Sequence, residues 1–241
     1  MAAMPEGVIE SVPAAPPRVR LRFPPGPDPY RSPRVYPLAW RTARALFKLY
    51  FRRWEAGSEN VPLAGPVILA ANHASYMDPP LVGSSCPRPI SCLARETLFT
   101  DGWFGRLLRA VGAVPVDRDG ASGKGVKTIL DRLLSGDGIV LFPEGTRTRD
   151  GRLQAARAGI GLIVLKSGAP VVPVRVFGTY EAYGRHRIVP RPRRIGIRYG
   201  PALRFEAQVA EAATASRPRV KELYQQVADE ILSAIGRLEG V

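Results

Sequence analysis

Two short polar clusters in this chain carry residue types suited to moving a proton and holding a phosphate. The first, Asn72-His73-Ala74-Ser75-Tyr76-Met77-Asp78, directly follows the apolar run Val67–Ala71. Histidine has an unperturbed pKa of about 6.5, so it is the side chain best matched to accepting a proton near neutral pH. His73 is one of two histidines, and Asp78 follows it after four intervening residues. An aspartate can hold one ring nitrogen and leave the other free to act as a base. Five positions along a helix turn about 140° away, so the two side chains meet only if the chain turns between them. Pro79-Pro80 favours a helix beginning just after Asp78, which permits that turn. The same prolines allow a plainer reading, with Asp78 as the helix cap and His73 as a hydrogen-bonded structural histidine.

The second cluster, Phe142-Pro143-Glu144-Gly145-Thr146-Arg147, follows the apolar run Gly138–Leu141. Arg147 is a rigid, permanently charged fork suited to phosphate, and Thr146 adds a hydroxyl. Gly145 lets a backbone come close to a ligand. Glu144 can accept hydrogen bonds from hydroxyls or hold an arginine. The plainer alternative is a turn with a solvated arginine. Two strand-exit clusters in one small domain suggest one site at one edge of a sheet. A third candidate, Val114-Pro115-Val116-Asp117-Arg118, again ends a strand in charge; alone it is equally a surface ion pair, worth little.

Other chemistries find no support. Gly120-Ala121-Ser122-Gly123-Lys124-Gly125 lacks the order of a phosphate-binding P-loop, because Lys124 is followed by glycine. There is no HExxH, no CxxC pair, no carboxylate-rich metal loop and no serine in a GxSxG elbow, so no metal is expected. Cys86 and Cys92 are the only cysteines, which is not a disulfide framework, and a reducing compartment is the default.

The charge balance is the unusual bulk property. The 241 residues carry 35 Lys+Arg against 21 Asp+Glu, a net +14, which points to an anionic partner. No segment reaches the roughly 18 apolar residues of a membrane-spanning helix, and the N-terminus has no basic head or apolar stretch of a secretory signal. Ten of the 24 prolines precede Leu38, so residues 1–36 read as a flexible tail. A helix is expected over 38–54, within a basic amphipathic unit assigned to 37–56. Trp40, Ala43, Phe47, Tyr50, Phe51 and Trp54 gather on one side of it, with Arg41, Arg44, Lys48 and Arg52 beside them. Aromatic anchors, a basic flank and no acids fit a segment lying on an anionic membrane surface. Packing of the aromatics onto the core is the alternative.

From Pro66 the pattern alternates. Strands are expected at Val67–Ala71, 90–94, 113–116, 138–142 and Val171–Phe177, with helices at Trp103–Ala110, 123–134 and 159–166 between some of them. A strand over 193–199 carries alternating arginines, as an edge strand does. A last helix over 217–238 has an apolar stripe from Val220 to Leu238. The fold class expected is α/β: one domain over 57–241, with a mixed, largely parallel sheet flanked by helices, plus the N-terminal amphipathic helix.

Together the motifs resemble the glycerolipid acyltransferases of the 1-acylglycerol-3-phosphate acyltransferase family. His73 and Asp78 match its His-x4-Asp block. Gly112-Ala113-Val114-Pro115-Val116-Asp117-Arg118 is similar to its second block, residues 142–147 match the third, and Val171-Val172-Pro173-Val174 resembles the fourth, in family order. The resemblance implies that His73 takes the proton of a lysophospholipid hydroxyl, which attacks an acyl thioester directly. Asp78 then orients His73. Asn72, in the same block, would help bind the acceptor; Arg118 and Arg147 would hold its phosphate, with Thr146 and Gly145 shaping that pocket and Glu144 organising the acceptor or the loop. It implies no cofactor, an acyl-CoA or acyl carrier protein thioester as co-substrate, and a peripheral position on the cytoplasmic face of a membrane. Arg95 stands where many relatives have lysine, which makes it a further candidate, and the stretch 153–159 also departs from the family pattern. Lysophosphatidic acid is the expected acceptor, another lysolipid such as an amino-acid-containing one the alternative. The arginines at 185, 187, 191, 193, 194 and 198 raise a nucleic-acid-binding alternative, but no recognised nucleic-acid motif accompanies them, and no nucleic acid is expected.

Overall fold

Strand β2 (Val67–Ala71) is apolar and buried at every position, the mark of a strand covered on both faces. The computed structural model describes residues 30–116 and 124–241, and β2 lies at the centre of its sheet. Seven strands run in the order β1-β7-β6-β2-β5-β3-β4: β1 (Trp54–Ala56), β3 (Ser91–Arg95), β4 (Val114–Val116), β5 (Gly138–Leu141), β6 (Val171–Phe177) and β7 (Gly196–Tyr199) complete it. Every pairing is parallel except β6 with β7. The mixed, largely parallel sheet expected from the sequence is therefore present.

The pleat divides the core in two. Val67, Leu69 and Ala71 face one layer, with α1 (Val35–Leu49) and α2 (Asp78–Ser85) over it. Ile68 and Ala70 face the other, beneath α4 (Lys124–Leu134), α5 (Gly159–Ser167) and α8 (Arg217–Gly236). Alternate side chains of one strand point to opposite faces, so a single apolar run feeds both layers. Helices α3 (Trp103–Ala110), α6 (Thr179–Tyr183) and α7 (Glu206–Thr214) complete the α-helices of the described residues. Helix α5 crosses α8 so closely at Gly161 that a Cβ there would collide with the Tyr224 carbonyl.

Three expectations are corrected. The first helix ends at Leu49, and Trp54–Ala56 is instead edge strand β1, paired parallel with β7. The segment 37–56 is thus not a unit apart from the α/β domain. Its aromatic face turns inward at Phe47 and Phe51, which belong to the core, while Leu38, Leu46, Leu49 and Tyr50 are exposed. The period gave the right stripe, but burial assigned part of it to the protein rather than to a membrane. Second, β1 covers β7, so β7 is not an edge, and of the arginines only Arg198 lies on the strand. Third, the end of the proline-rich tail is held in place. Arg31 is buried and pairs with Asp137 at 2.8 Å, and its guanidinium also donates to the Ser91 hydroxyl. Tyr36 accepts a hydrogen bond from the Ile90 N–H through its hydroxyl. Residues 1–29 lie outside the described residues.

Candidate active site

The carboxyl ends of β2 and β5 are neighbours in the sheet, so the two polar clusters leave it side by side. The chain turns after Ala71, and α2 begins at Asp78 with prolines in its first turn. That turn brings the Asp78 carboxylate back onto His73: the imidazole Nδ1 lies 2.9 Å from Asp78 Oδ2. The same oxygen accepts the backbone N–H groups of Ala74 (2.6 Å) and Ser75 (2.7 Å). It makes no capping bond to the helix ahead, so the cap reading of Asp78 fails. Asp78 is fully buried, and its Oδ1 has no hydrogen-bond partner among the described residues. With Nδ1 held by the carboxylate, Nε2 is the nitrogen left to accept a proton.

His73 is fixed by its backbone as well as its ring. Its N–H donates to Glu144 Oε1 at 2.8 Å, and its carbonyl accepts the Thr148 N–H at 2.8 Å. Both partners come from the loop after β5. The ring stacks on Phe142, centroids 4.0 Å apart. Phe142 is a site residue that sequence reasoning named only as part of a motif; an aromatic opening the second cluster was the available signal.

Glu144 is only 2% exposed. Its second oxygen accepts the Gln154 N–H at 3.1 Å, so the side chain ties the His73 turn to a loop ten residues on. Of the roles expected for Glu144, loop organisation is the one its contacts display. Burial pushes its carboxyl up to about 7, against the pull of the two backbone N–H groups, and the neighbouring Asp78 charge adds to the rise. Asn72 also faces the protein: its amide bridges both the N–H and the carbonyl of Val176, continuing the β2–β6 ladder. These contacts make it a bracket for the strand exit rather than a group facing a ligand.

Gly145 has φ +67°, and a Cβ there would meet the Arg157 side chain, so glycine is needed in that turn. Thr146 accepts a hydrogen bond from Arg185 Nη2 at 2.6 Å. Arg147 lies flat on the Tyr76 ring, 3.4 Å from its centroid, and its Nη1 has no hydrogen-bond partner among the described residues. Arg185 and Arg157 were not singled out from the sequence as parts of this site; the fold-back that brings Arg185 across 39 positions has no local signature. Arg95 ends β3 and is exposed, two strands from β2. Strand β4, which leads to the third motif, lies one strand further, roughly 14 Å from β2 by strand spacing. Arg118 itself lies outside the described residues. Among the described residues, no group of three or more His, Cys, Asp or Glu side chains could hold a metal ion.

Known proteins resemble this chain in sequence and in fold. Residues 54–177 match the model of the Acyltransferase family. Curated relatives include the 1-acyl-sn-glycerol-3-phosphate acyltransferase of Bacillus subtilis, 31% identical over 121 residues (50% of this chain, 60% of the relative). The enzyme of the same name from Borreliella burgdorferi is 32% identical over 126 residues (51% and 50%). A chloroplastic one from Arabidopsis thaliana is 28% identical over 155 residues (63% and 43%). The chain spans about half the length of the curated relatives it matches. The crystal structure of the 1-acyl-sn-glycerophosphate acyltransferase from Thermotoga maritima shares the fold, with TM-score 0.66 and 22% identity, over 86% of this chain and 81% of that one.

Proposed function

Since the chain belongs to the Acyltransferase family, we propose that it moves an acyl group from a thioester to the free hydroxyl of a lysophospholipid, with lysophosphatidic acid as acceptor and phosphatidic acid as product. The observation that carries this reading is the His73 ring, held through Nδ1 by a buried carboxylate beside the loop that presents Arg147.

In this mechanism His73 Nε2 takes the proton from the acceptor hydroxyl as its oxygen attacks the thioester carbonyl. Asp78 stabilises the imidazolium that forms. The new C–O bond is completed as the C–S bond breaks, and His73 returns the proton to the departing thiolate. Arg147, with Nη1 unpartnered, and Arg118 bind the acceptor's phosphate; a bidentate fork is the geometry a phosphate selects. No acyl-enzyme and no cofactor is required. The donor is an acyl-CoA or an acyl carrier protein thioester.

The protein works at an anionic membrane surface, on its cytoplasmic face, as a peripheral enzyme. The exposed face of α1 supports contact with such a surface. No helix among the described residues is long and apolar enough to cross a membrane. Leu38, Leu46 and Leu49 of α1 are exposed, and Arg41 and Lys48 are exposed near them. Lysophosphatidic acid is itself a membrane lipid. The decisive test incubates purified protein with lysophosphatidic acid and a panel of acyl-CoA and acyl carrier protein donors, with products read by mass spectrometry. Phosphatidic acid is expected from the wild type and not from a folded His73→Ala variant; equal product from both would defeat the reading.

A further inference from the structure

The chain between α6 and β7 leaves the body of the fold as a closed loop. The Arg191 N–H donates to the Ala182 carbonyl at 2.9 Å, pinching residues 183–190 at their base. At the outer part of the loop Ile188 is 94% exposed and Val189 69% exposed. Around them stand Arg185, Arg187, Arg191, Arg193 and Arg194, and no acidic residue lies between Glu181 and Glu206. All of these arginines except the half-buried Arg187 are exposed.

Three contacts relate this loop to the rest of the molecule. Arg185 reaches Thr146 in the second polar cluster. The Ser75 hydroxyl, in the first cluster, donates to the Tyr183 carbonyl at 2.7 Å. The Tyr50 hydroxyl, at the end of α1, donates to the Pro190 carbonyl at 3.3 Å, next to exposed Leu46 and Leu49.

We infer that residues 183–194 form a second membrane-docking element, with Ile188 and Val189 entering the interfacial layer of an anionic bilayer and the surrounding arginines engaging lipid phosphates. An apolar tip in a cationic collar matches such a surface in both layers: acyl chain below, phosphate above. Among the described residues Ile188 and Val189 belong to neither apolar core cluster, and a nucleic acid backbone offers two aliphatic side chains nothing. The base of the loop touches both strand-exit clusters, so docking here holds the His73 site at the lipid surface. The inference rests on the reading of the acceptor as a bilayer lipid, but it can be tested without any turnover.

The direct test places a polarity-sensitive fluorophore on Val189→Cys. Cys86 is buried and Cys92 half-buried, and burial pushes both thiols up, so the exposed added thiol labels in preference to them near neutral pH. Phosphatidylcholine vesicles with and without phosphatidylglycerol are the probes. Expected is a blue shift on anionic vesicles and quenching by brominated acyl chains; an unshifted label on vesicles that do bind the protein overturns the inference, as does an equal blue shift on duplex DNA. Ile188→Ser with Val189→Ser should weaken flotation with anionic vesicles by roughly 10- to 100-fold, and wild-type flotation would overturn it. In turnover, this double variant should lose activity on lysophosphatidic acid in vesicles yet stay within about twofold of wild type on a short-chain acceptor kept below its micelle concentration. Equal loss on both would make the loop part of the site instead and overturn docking. A protein that inserts the label but acylates no acceptor upholds the loop and defeats only the acyltransferase reading.

Discussion

Asp78→Asn is the substitution whose outcome the structure specifies most closely. One carboxylate oxygen, Oδ2, takes three donors: the His73 ring and the backbone N–H groups of Ala74 and Ser75. In the asparagine variant that position must be filled by the amide oxygen, because an NH2 there would face two backbone N–H groups that cannot turn away. The NH2 is then forced into the place of Oδ1, which is buried without a partner. His73 therefore keeps its proton on Nδ1 and its Nε2 free, and only the charge is lost. A unit charge pair about 4 Å apart at an effective dielectric of about 20 is worth about 4 kcal/mol. Since the imidazolium is only partly formed in the transition state, kcat should fall about 10²- to 10³-fold. Stability should fall by about 1–3 kcal/mol for the unpartnered NH2. Asp78→Ala should cost more, because two buried N–H groups lose their acceptor at about 1–3 kcal/mol each. The assay is kcat with lysophosphatidic acid and an acyl-CoA, set beside thermal melts and ¹⁵N shifts of the His73 ring. A folded Asn variant within about threefold of wild type would refute a role for the charge. A loss beyond about 10⁴ with Nδ1 deprotonated would refute the pinned amide.

Glu144→Gln should change the pH dependence of stability. The folded pKa of about 7 lies above the ordinary 4.5, so its stabilising contribution is complete below about 4.5 and is lost as pH rises through 7. Wild-type stability relative to the variant should therefore decline between pH 5 and 8, by about 3 kcal/mol at most, as read by denaturant melts. Arg147→Ala should raise KM for lysophosphatidic acid far more than for the acyl donor, with only partial rescue by lysine, which lacks the fork; steady-state kinetics with each substrate varied checks this. Phe47→Ala should cost about 3–5 kcal/mol of stability because Phe47 is core, whereas Leu46→Ser with Leu49→Ser should leave melting near wild type and weaken vesicle flotation.

How much of this was legible beforehand depended on the range of the interaction involved. Val171–Phe177 and Trp103–Ala110 match their expected bounds, because a valine-rich run and a compact amphipathic stretch are local signals. The meeting of His73 with Asp78 was legible through Pro79-Pro80, which set where the helix starts. Strand β1 was not: Trp54-Glu55-Ala56 carries no strand pattern, and it is held by a pairing with β7 some 142 positions away (Trp54 with Gly196). Arg31 read as part of a tail for the same reason, since its partner Asp137 is 106 positions on. Breaking that pair by removing one buried partner would cost about 3–5 kcal/mol, a stake that composition could not reveal. Asn72 was tied to the acceptor only through the family resemblance, and Glu144 was left open between the acceptor and the loop. Here both are occupied with backbone groups.

Those backbone contacts explain how a side chain on a loop, as His73 is, can be held as firmly as one on a helix. His73 follows a strand that ends at Ala71, and a free turn would let its ring swing. Its N–H and its carbonyl are both taken by the β5 exit loop, through Glu144 and Thr148, while its ring is gripped by Asp78 on one edge and Phe142 on one face. Asp78 in turn is held by the Ala74 and Ser75 N–H groups of the same turn. The dyad geometry is thus set largely by hydrogen bonds to main-chain groups in the turns that leave two adjacent parallel strands, not by the rotamer preferences of two side chains alone. It follows that, in the proposed mechanism, the Phe-Pro-Glu-Gly-Thr-Arg loop would serve the base as much as the phosphate. A substitution at Glu144, whose two oxygens both accept backbone N–H groups, should therefore lower kcat by displacing His73 rather than raise KM for the acceptor. An effect confined to KM would place Glu144 on the ligand after all.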